Sequence, residues 1–181
     1  MAQEQYVETL DLPEGIDFSS EKGMISVKGQ KGEVKKNLFS PIITISKEGS
    51  TIKLTSKKLT KKSKKLTNTF KAHIANTFKG VTEGHVYKLK ICSGHFPMTV
   101  VLKGKVIEIK NFIGEKVPRT LTFKEGVNVK IDGTLIVVDS IDKELAGQGA
   151  ASIEQLTKRP GFDRRIFQDG IYITEKDGKK I

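Results

Sequence analysis

The amino-acid sequence predicts an α+β fold built twice: two similar domains, each a mostly antiparallel β-sheet packed with one α-helix. Three observations predict it. Ile25-Ser26-Val27-Lys28 before Gly32-Glu33 returns 82 residues later as Ile107-Glu108-Ile109-Lys110 before Gly114-Glu115. Gly49-Ser50-Thr51, with Ile52 and Leu54, returns 84 residues later as Gly133-Thr134-Leu135, with Ile136 and Val138. Each copy then closes on a stretch whose apolar residues fall at helical spacing. The copies take residues 1–82 and 83–181, with the boundary expected near Gly80–Gly84.

In the first copy, strands are expected at Ile16–Phe18, Met24–Lys28, Glu33–Leu38, Ile42–Ser46 and Thr51–Thr55. These segments alternate apolar and polar residues, as half-buried strands do. Lys22-Gly23 and Glu48-Gly49 are the turns between them. A helix follows at about Lys62–Lys79, with Phe70, Ile74 and Phe78 at four-residue steps. Leu12-Pro13 corresponds to Phe96-Pro97 at the start of the second copy. Strands are expected there at Tyr87–Cys92, Thr99–Leu102, Val106–Lys110, Arg119–Phe123, Asn128–Ile131 and Leu135–Val138. Glu125-Gly126 and Asp132-Gly133 are its turns. Its helix covers about Asp142–Lys158, and Pro160-Gly161 ends it. A tail leads to a last strand at Ile171–Thr174, and the polar Glu175–Ile181 is expected to be mobile.

Charge narrows the function. Between Lys47 and Lys79 there are ten lysines and one acid, Glu48, a net +9 out of +11 for the whole chain. Its centre is Lys57, Lys58, Lys61, Lys62, Lys64 and Lys65. Lysines this dense repel one another unless an anion lies against them, and a nucleic acid is the polyanion that condenses many at once. Four of them near a helix start also oppose the macrodipole, so Lys57–Lys65 is expected to fray without RNA. All four arginines lie in the second half: Arg119, Arg159, Arg164 and Arg165. Their planar forks suit phosphate oxygens, and the Arg159–Arg165 cluster ranks above the lysines as a specific clamp.

Other functions fit poorly. The single cysteine, Cys92, permits no intrachain disulfide, and the polar start Met1–Gln5 predicts no signal peptide, so the cytoplasm is expected. Cys92 and His95 lack partners for a zinc set, and neither metal nor cofactor is expected. No apolar run is long enough to span a bilayer. No Walker sequence, nucleophile elbow or acid/base pair stands out, so neither an enzyme nor a small-molecule substrate is expected. Gly147-Gln148-Gly149 lies at or inside the second helix, where it predicts close approach of the backbone to a neighbouring surface, with RNA a candidate for that surface. With no Trp and 7 % aromatics, a base-stacking groove is poorly supported. What remains describes a protein seated on the phosphates and shape of folded RNA.

Asn111-Phe112-Ile113-Gly114-Glu115-Lys116, followed by Pro118-Arg119, resembles the Asn-Phe-Leu-Gly-Glu-Lys stretch of a ribosomal protein family. Asp163-Arg164-Arg165-Ile166-Phe167-Gln168-Asp169-Gly170-Ile171-Tyr172 looks like that family's C-terminal end. Over nearly its whole length the chain resembles the large-subunit ribosomal protein L-six family in its archaeal and eukaryotic form, called L-nine in eukaryotes. The Lys/Gly-rich tail of the bacterial branch is missing. The resemblance implies a monomer within the ribosome, without catalytic activity, bound to large-subunit rRNA near the sarcin–ricin loop. It implies neighbouring ribosomal proteins at the stalk base, where translational GTPases dock. In the family the second domain makes the principal rRNA contacts. By position these fall here on Gly147, Gly149, Lys158, Arg159, Arg164 and Arg165, with Lys116 and Arg119 from the first motif. The lysine tract then faces another rRNA segment or the subunit surface. A stand-alone RNA-binding regulator is the alternative, and an RNA-processing enzyme is a third reading.

Overall fold

A computed structural model describes residues 5–163 and 165–181. The chain divides into two units between Gly84 and His85. Unit 1 contains β1 (Tyr6–Asp11), β2 (Asp17–Glu21), β3 (Met24–Gly29), β4 (Gly32–Asn37), β5 (Ile43–Glu48), β6 (Thr51–Ser56) and α1 (Lys61–Thr82). It has two antiparallel sheets, ordered β1-β6-β5 and β2-β3-β4. Period-two alternation sends Ile52, Leu54 and Ser56 of β6 inward, and Ile25 and Val27 of β3 likewise. Helical spacing brings Phe70, Ile74, Phe78 and Val81 of α1 to the same core. Each such side chain contributes about 2 kcal/mol by leaving water. Phe78 meets Phe18 edge-on, with centroids 6.4 Å apart.

Unit 2 contains β7 (His85–Cys92), β8 (Thr99–Lys103), β9 (Val106–Lys110), β10 (Arg119–Thr122), β11 (Val127–Asp132), β12 (Leu135–Ser140), α2 (Lys143–Leu156), β13 (Gly170–Lys176) and β14 (Lys179–Lys180). Its sheets are ordered β10-β9-β8 and β11-β12-β7-β13-β14. The duplication is therefore structural. The order β7-β12-β11 repeats β1-β6-β5, and the β8–β10 sheet repeats β2–β4. The buried Ile136, Val138 and Ser140 repeat Ile52, Leu54 and Ser56, and the buried Ile107 and Ile109 repeat Ile25 and Val27. The main difference is that β13 and β14 extend unit 2 on the free edge of β7.

The structure corrects three expectations. The strand β1 was not predicted. It carries Glu8 on the same side as Tyr6 and Leu10, and that carboxylate is satisfied by Lys71 of α1 at 2.7 Å. Residues 175–181 are not loose. Glu175 pairs with Lys88 at 3.0 Å, and Asp177 and Gly178, both at positive φ, turn the chain into β14. Nor is the lysine-rich helix start open. Thr60 Oγ1 accepts from the Ser63 N–H at 3.1 Å, and Ser63 Oγ accepts from the Thr60 N–H at 3.0 Å. Such a cap stabilises by about 1 kcal/mol, more than the few tenths that each like-charged pair costs.

Candidate nucleic-acid interface

All six lysines of the tract are exposed, two on the loop after β6 and four on the first turns of α1. Lys57, Lys58, Lys61, Lys62 and Lys65 have no ion pair among the described residues, and Lys64 lies 5.5 Å from the centre of the Tyr6 ring. Other lysines of unit 1 do have carboxylate partners: Lys53 meets Glu48 at 3.3 Å and Lys71 meets Glu8 at 2.7 Å. The tract is thus a dense cationic surface whose counter-charge must come from outside these residues.

The arginines behave differently from one another. Arg119 is committed internally. It grips Glu115 with two hydrogen bonds, at 2.8 and 2.7 Å, and its guanidinium lies 4.4 Å from the centre of the Phe112 ring. Its Nη1 donates to the carbonyl of Leu156 at 2.5 Å. That carbonyl is one of the orphan acceptors at the negative end of α2, whose last turn has no basic residue of its own. Arg119 therefore closes a helix, and its hydrogen bonds hold the Glu115 carboxyl below the usual range. Arg165 is highly exposed but is forked onto Asp163 at 2.8 and 3.1 Å, which offsets part of its charge. Arg164 lies outside the described residues. Arg119 stands apart from the Arg159–Arg165 cluster, and within that cluster the Asp163 pairing involves Arg165.

Gly147 and Gly149 do approach a surface closely, but the surface is the chain's own sheet. A Cβ on Gly149 would stand 3.2 Å from Val127 Cγ1 and 3.4 Å from Val138 Cγ1, and one on Gly147 would stand 3.2 Å from Tyr87 Oη. Gly149 is buried. These glycines let α2 settle on the sheet. Lys116 is exposed on the loop before β10.

Lys158 and Arg159 do come together, on the lining of a cleft of about 170 Å³ at the end of α2. Its walls include Phe162, Phe167 and Tyr172, which the low aromatic content of the sequence had left unconsidered. The Arg159 guanidinium lies 4.3 Å over the Phe162 ring. Phe162 and Phe167 meet edge-on at 5.0 Å, and Phe167 lies 5.1 Å from the His95 ring. Asp169, buried below, fixes this arrangement. Its Oδ1 accepts from the N–H groups of Gly94 and His95 at 2.7 and 3.0 Å, and its Oδ2 lies 2.7 Å from His95 Nδ1. The signal in the sequence was the interleaving of basic and aromatic residues from Arg159 to Phe167.

Comparison with known proteins gives these surfaces a context. The family model described as Ribosomal protein L6 matches residues 12–84 and 96–170, one segment in each unit. The chain belongs to the ribosomal protein L6 family. A relative from Methanococcus vannielii, named Large ribosomal subunit protein uL6, is 43 % identical over 174 residues, covering 96 % of both chains. A protein of the same name from Methanothrix thermoacetophila is 41 % identical over 173 residues, covering 96 % of this chain and 98 % of its own. In this member of the L6 family the lysine tract lies within the first matched segment, and Lys116, Lys158, Arg159 and Arg165 lie within the second.

Proposed function

We propose that this chain is a structural constituent of the large ribosomal subunit, acting as a monomer in the cytoplasm. It binds large-subunit rRNA near the sarcin–ricin loop and the stalk base, beside other large-subunit proteins, and supports the region where translation factors dock. The observation that carries the reading is similarity across 96 % of the chain to proteins named Large ribosomal subunit protein uL6. The RNA contact is supported by the exposed lysine tract and by Lys116, Lys158, Arg159 and Arg165, with Arg164 included from the sequence alone. The chemistry is phosphate neutralisation by a preformed scaffold rather than catalysis, so no residue is assigned a catalytic role. Arg119, Gly147 and Gly149, where the resemblance also places RNA contacts, make contacts within the fold as well.

Sedimentation of a cell extract at physiological salt tests the proposal. The chain is expected to travel with large subunits, leaving little in the slow-sedimenting pool. A predominantly free pool at that salt favours a stand-alone RNA-binding regulator instead.

A further inference from the structure

The cleft at the end of α2 has the chemistry of a pocket for a flat ring that carries an anion. Arg159, Phe162 and Phe167, all on the lining, form a row of planar groups, the first pair 4.3 Å apart and the second meeting edge-on at 5.0 Å. Such faces stack nucleobases. Lys158 and Arg159 put positive charge on its lining, where the phosphate of a nucleotide would sit. Gln155, also on the lining, offers an amide with both a donor and an acceptor. That combination matches the edge of a base.

Size and backbone strain agree with this. A cavity of about 150 Å³ accepts a benzene ring, so about 170 Å³ suits one six-membered ring better than a fused pair. Ile113 lines the cleft in the left-handed region, at φ 47° and ψ 41°, although it is β-branched. Strained backbone of this kind collects at ligand clamps. Glu154, on the same helix, repels a phosphate and so directs it to the Lys158–Arg159 side.

We propose that this cleft takes a single unpaired pyrimidine base of RNA, turned out of its stack, with its phosphate against Lys158 and Arg159. The inference rests on the RNA-binding reading above and adds a base pocket to what is otherwise contact with phosphates. Stacking on the aromatic row replaces the stacking that the base gives up.

The test uses the full chain at fixed salt with four short RNA hairpins: one with a bulged uridine, one with a bulged adenosine, one with an abasic bulge and one without a bulge. Fluorescence anisotropy is expected to give the bulged uridine about tenfold tighter binding than the abasic bulge, with adenosine between. Phe162→Leu keeps the apolar bulk and is expected to abolish that preference, read as the ratio of uridine-hairpin to abasic-hairpin affinity in the same variant. Gln155→Ala, an exposed change, is expected to reduce the preference and provides the decision if Phe162→Leu disturbs the fold. Equal binding of all four hairpins overturns the proposal. So does a preference that survives in folded Phe162→Leu, or one that is undiminished in Gln155→Ala if that variant must decide. Co-sedimentation with large subunits but no base preference removes the pocket and keeps the ribosomal role. A base preference in a chain that does not co-sediment does the reverse.

Discussion

Asp169 pins the tail before β13 to the loop after β7, and so holds the aromatic wall of the cleft in place. Burial pushes its carboxyl up, but hydrogen bonds from the His95 N–H and ring and from the Gly94 and Phe96 N–H groups outweigh that and bring it from 3.8 to about 2. The folded-state value is depressed, so the stabilisation is complete above pH 3.8 and is lost as the pH falls through about 2. A carbon-detected NMR titration of the Asp169 carboxyl is expected to show that low midpoint, and a midpoint near 4 contradicts the clamp. Asp169→Ala removes the charged acceptor shared by the Gly94 and His95 N–H groups and is expected to cost about 2 kcal/mol in chemical denaturation. None of this was legible in the sequence. Asp169 and its partners lie some 75 positions apart, and no spacing rule joins them. The same holds for Arg119: its bond to Glu115 is an i,i+4 pair, visible in principle, but its use as the closing group of α2 depends on a fold in which β10 reaches the end of that helix.

At the scale of elements, both helices lie on their sheets through glycine. A Cβ on Gly29, at the end of β3, would stand 2.8 Å from Val81 Cγ2 and 3.0 Å from the Val81 carbonyl oxygen in α1, and the backbone oxygen cannot swing away. Gly29→Ala is therefore expected to destabilise by about 3 kcal/mol. Gly149→Ala presses on valine methyls at 3.2 and 3.4 Å, a milder conflict, and alanine regains about 1 kcal/mol of helix propensity. A net loss of about 1 kcal/mol is expected in urea unfolding, and a stabilised Gly149→Ala would mean that α2 sits less tightly than described. Most strands and both helices were legible because their apolar residues keep the period of the element, as in Ile52, Leu54 and Phe70, Ile74, Phe78. β1 was not, because Glu8 interrupts its inward set and is satisfied only by a residue 63 positions away. The last hairpin did carry a signal, the Asp177-Gly178 turn, but the polar composition around it concealed that signal.

For the whole molecule, charge is the property that the sequence conveys best. Ten lysines against one acid between Lys47 and Lys79 remain a cationic surface after folding, because their spacing leaves the six central ones exposed. Folding decides which charges are already answered, and composition does not reveal it. Arg119 and Arg165 have carboxylate partners, whereas Lys57, Lys58, Lys61, Lys62 and Lys65 have none among the described residues. With about eight phosphates contacted, binding to large-subunit rRNA is expected to weaken about a thousandfold or more between 50 and 200 mM salt. Lys57→Ala with Lys58→Ala is expected to lower the slope of log affinity against log salt by about two. An unchanged slope would place those two lysines away from RNA.

The most direct measurement is a map of protein–RNA cross-links in large subunits that contain this chain. The account predicts adducts between large-subunit rRNA and both the Lys57–Lys65 tract and the stretch from Lys158 to Phe167. A particle in which the chain is present but neither stretch cross-links to a ribonucleotide contradicts it.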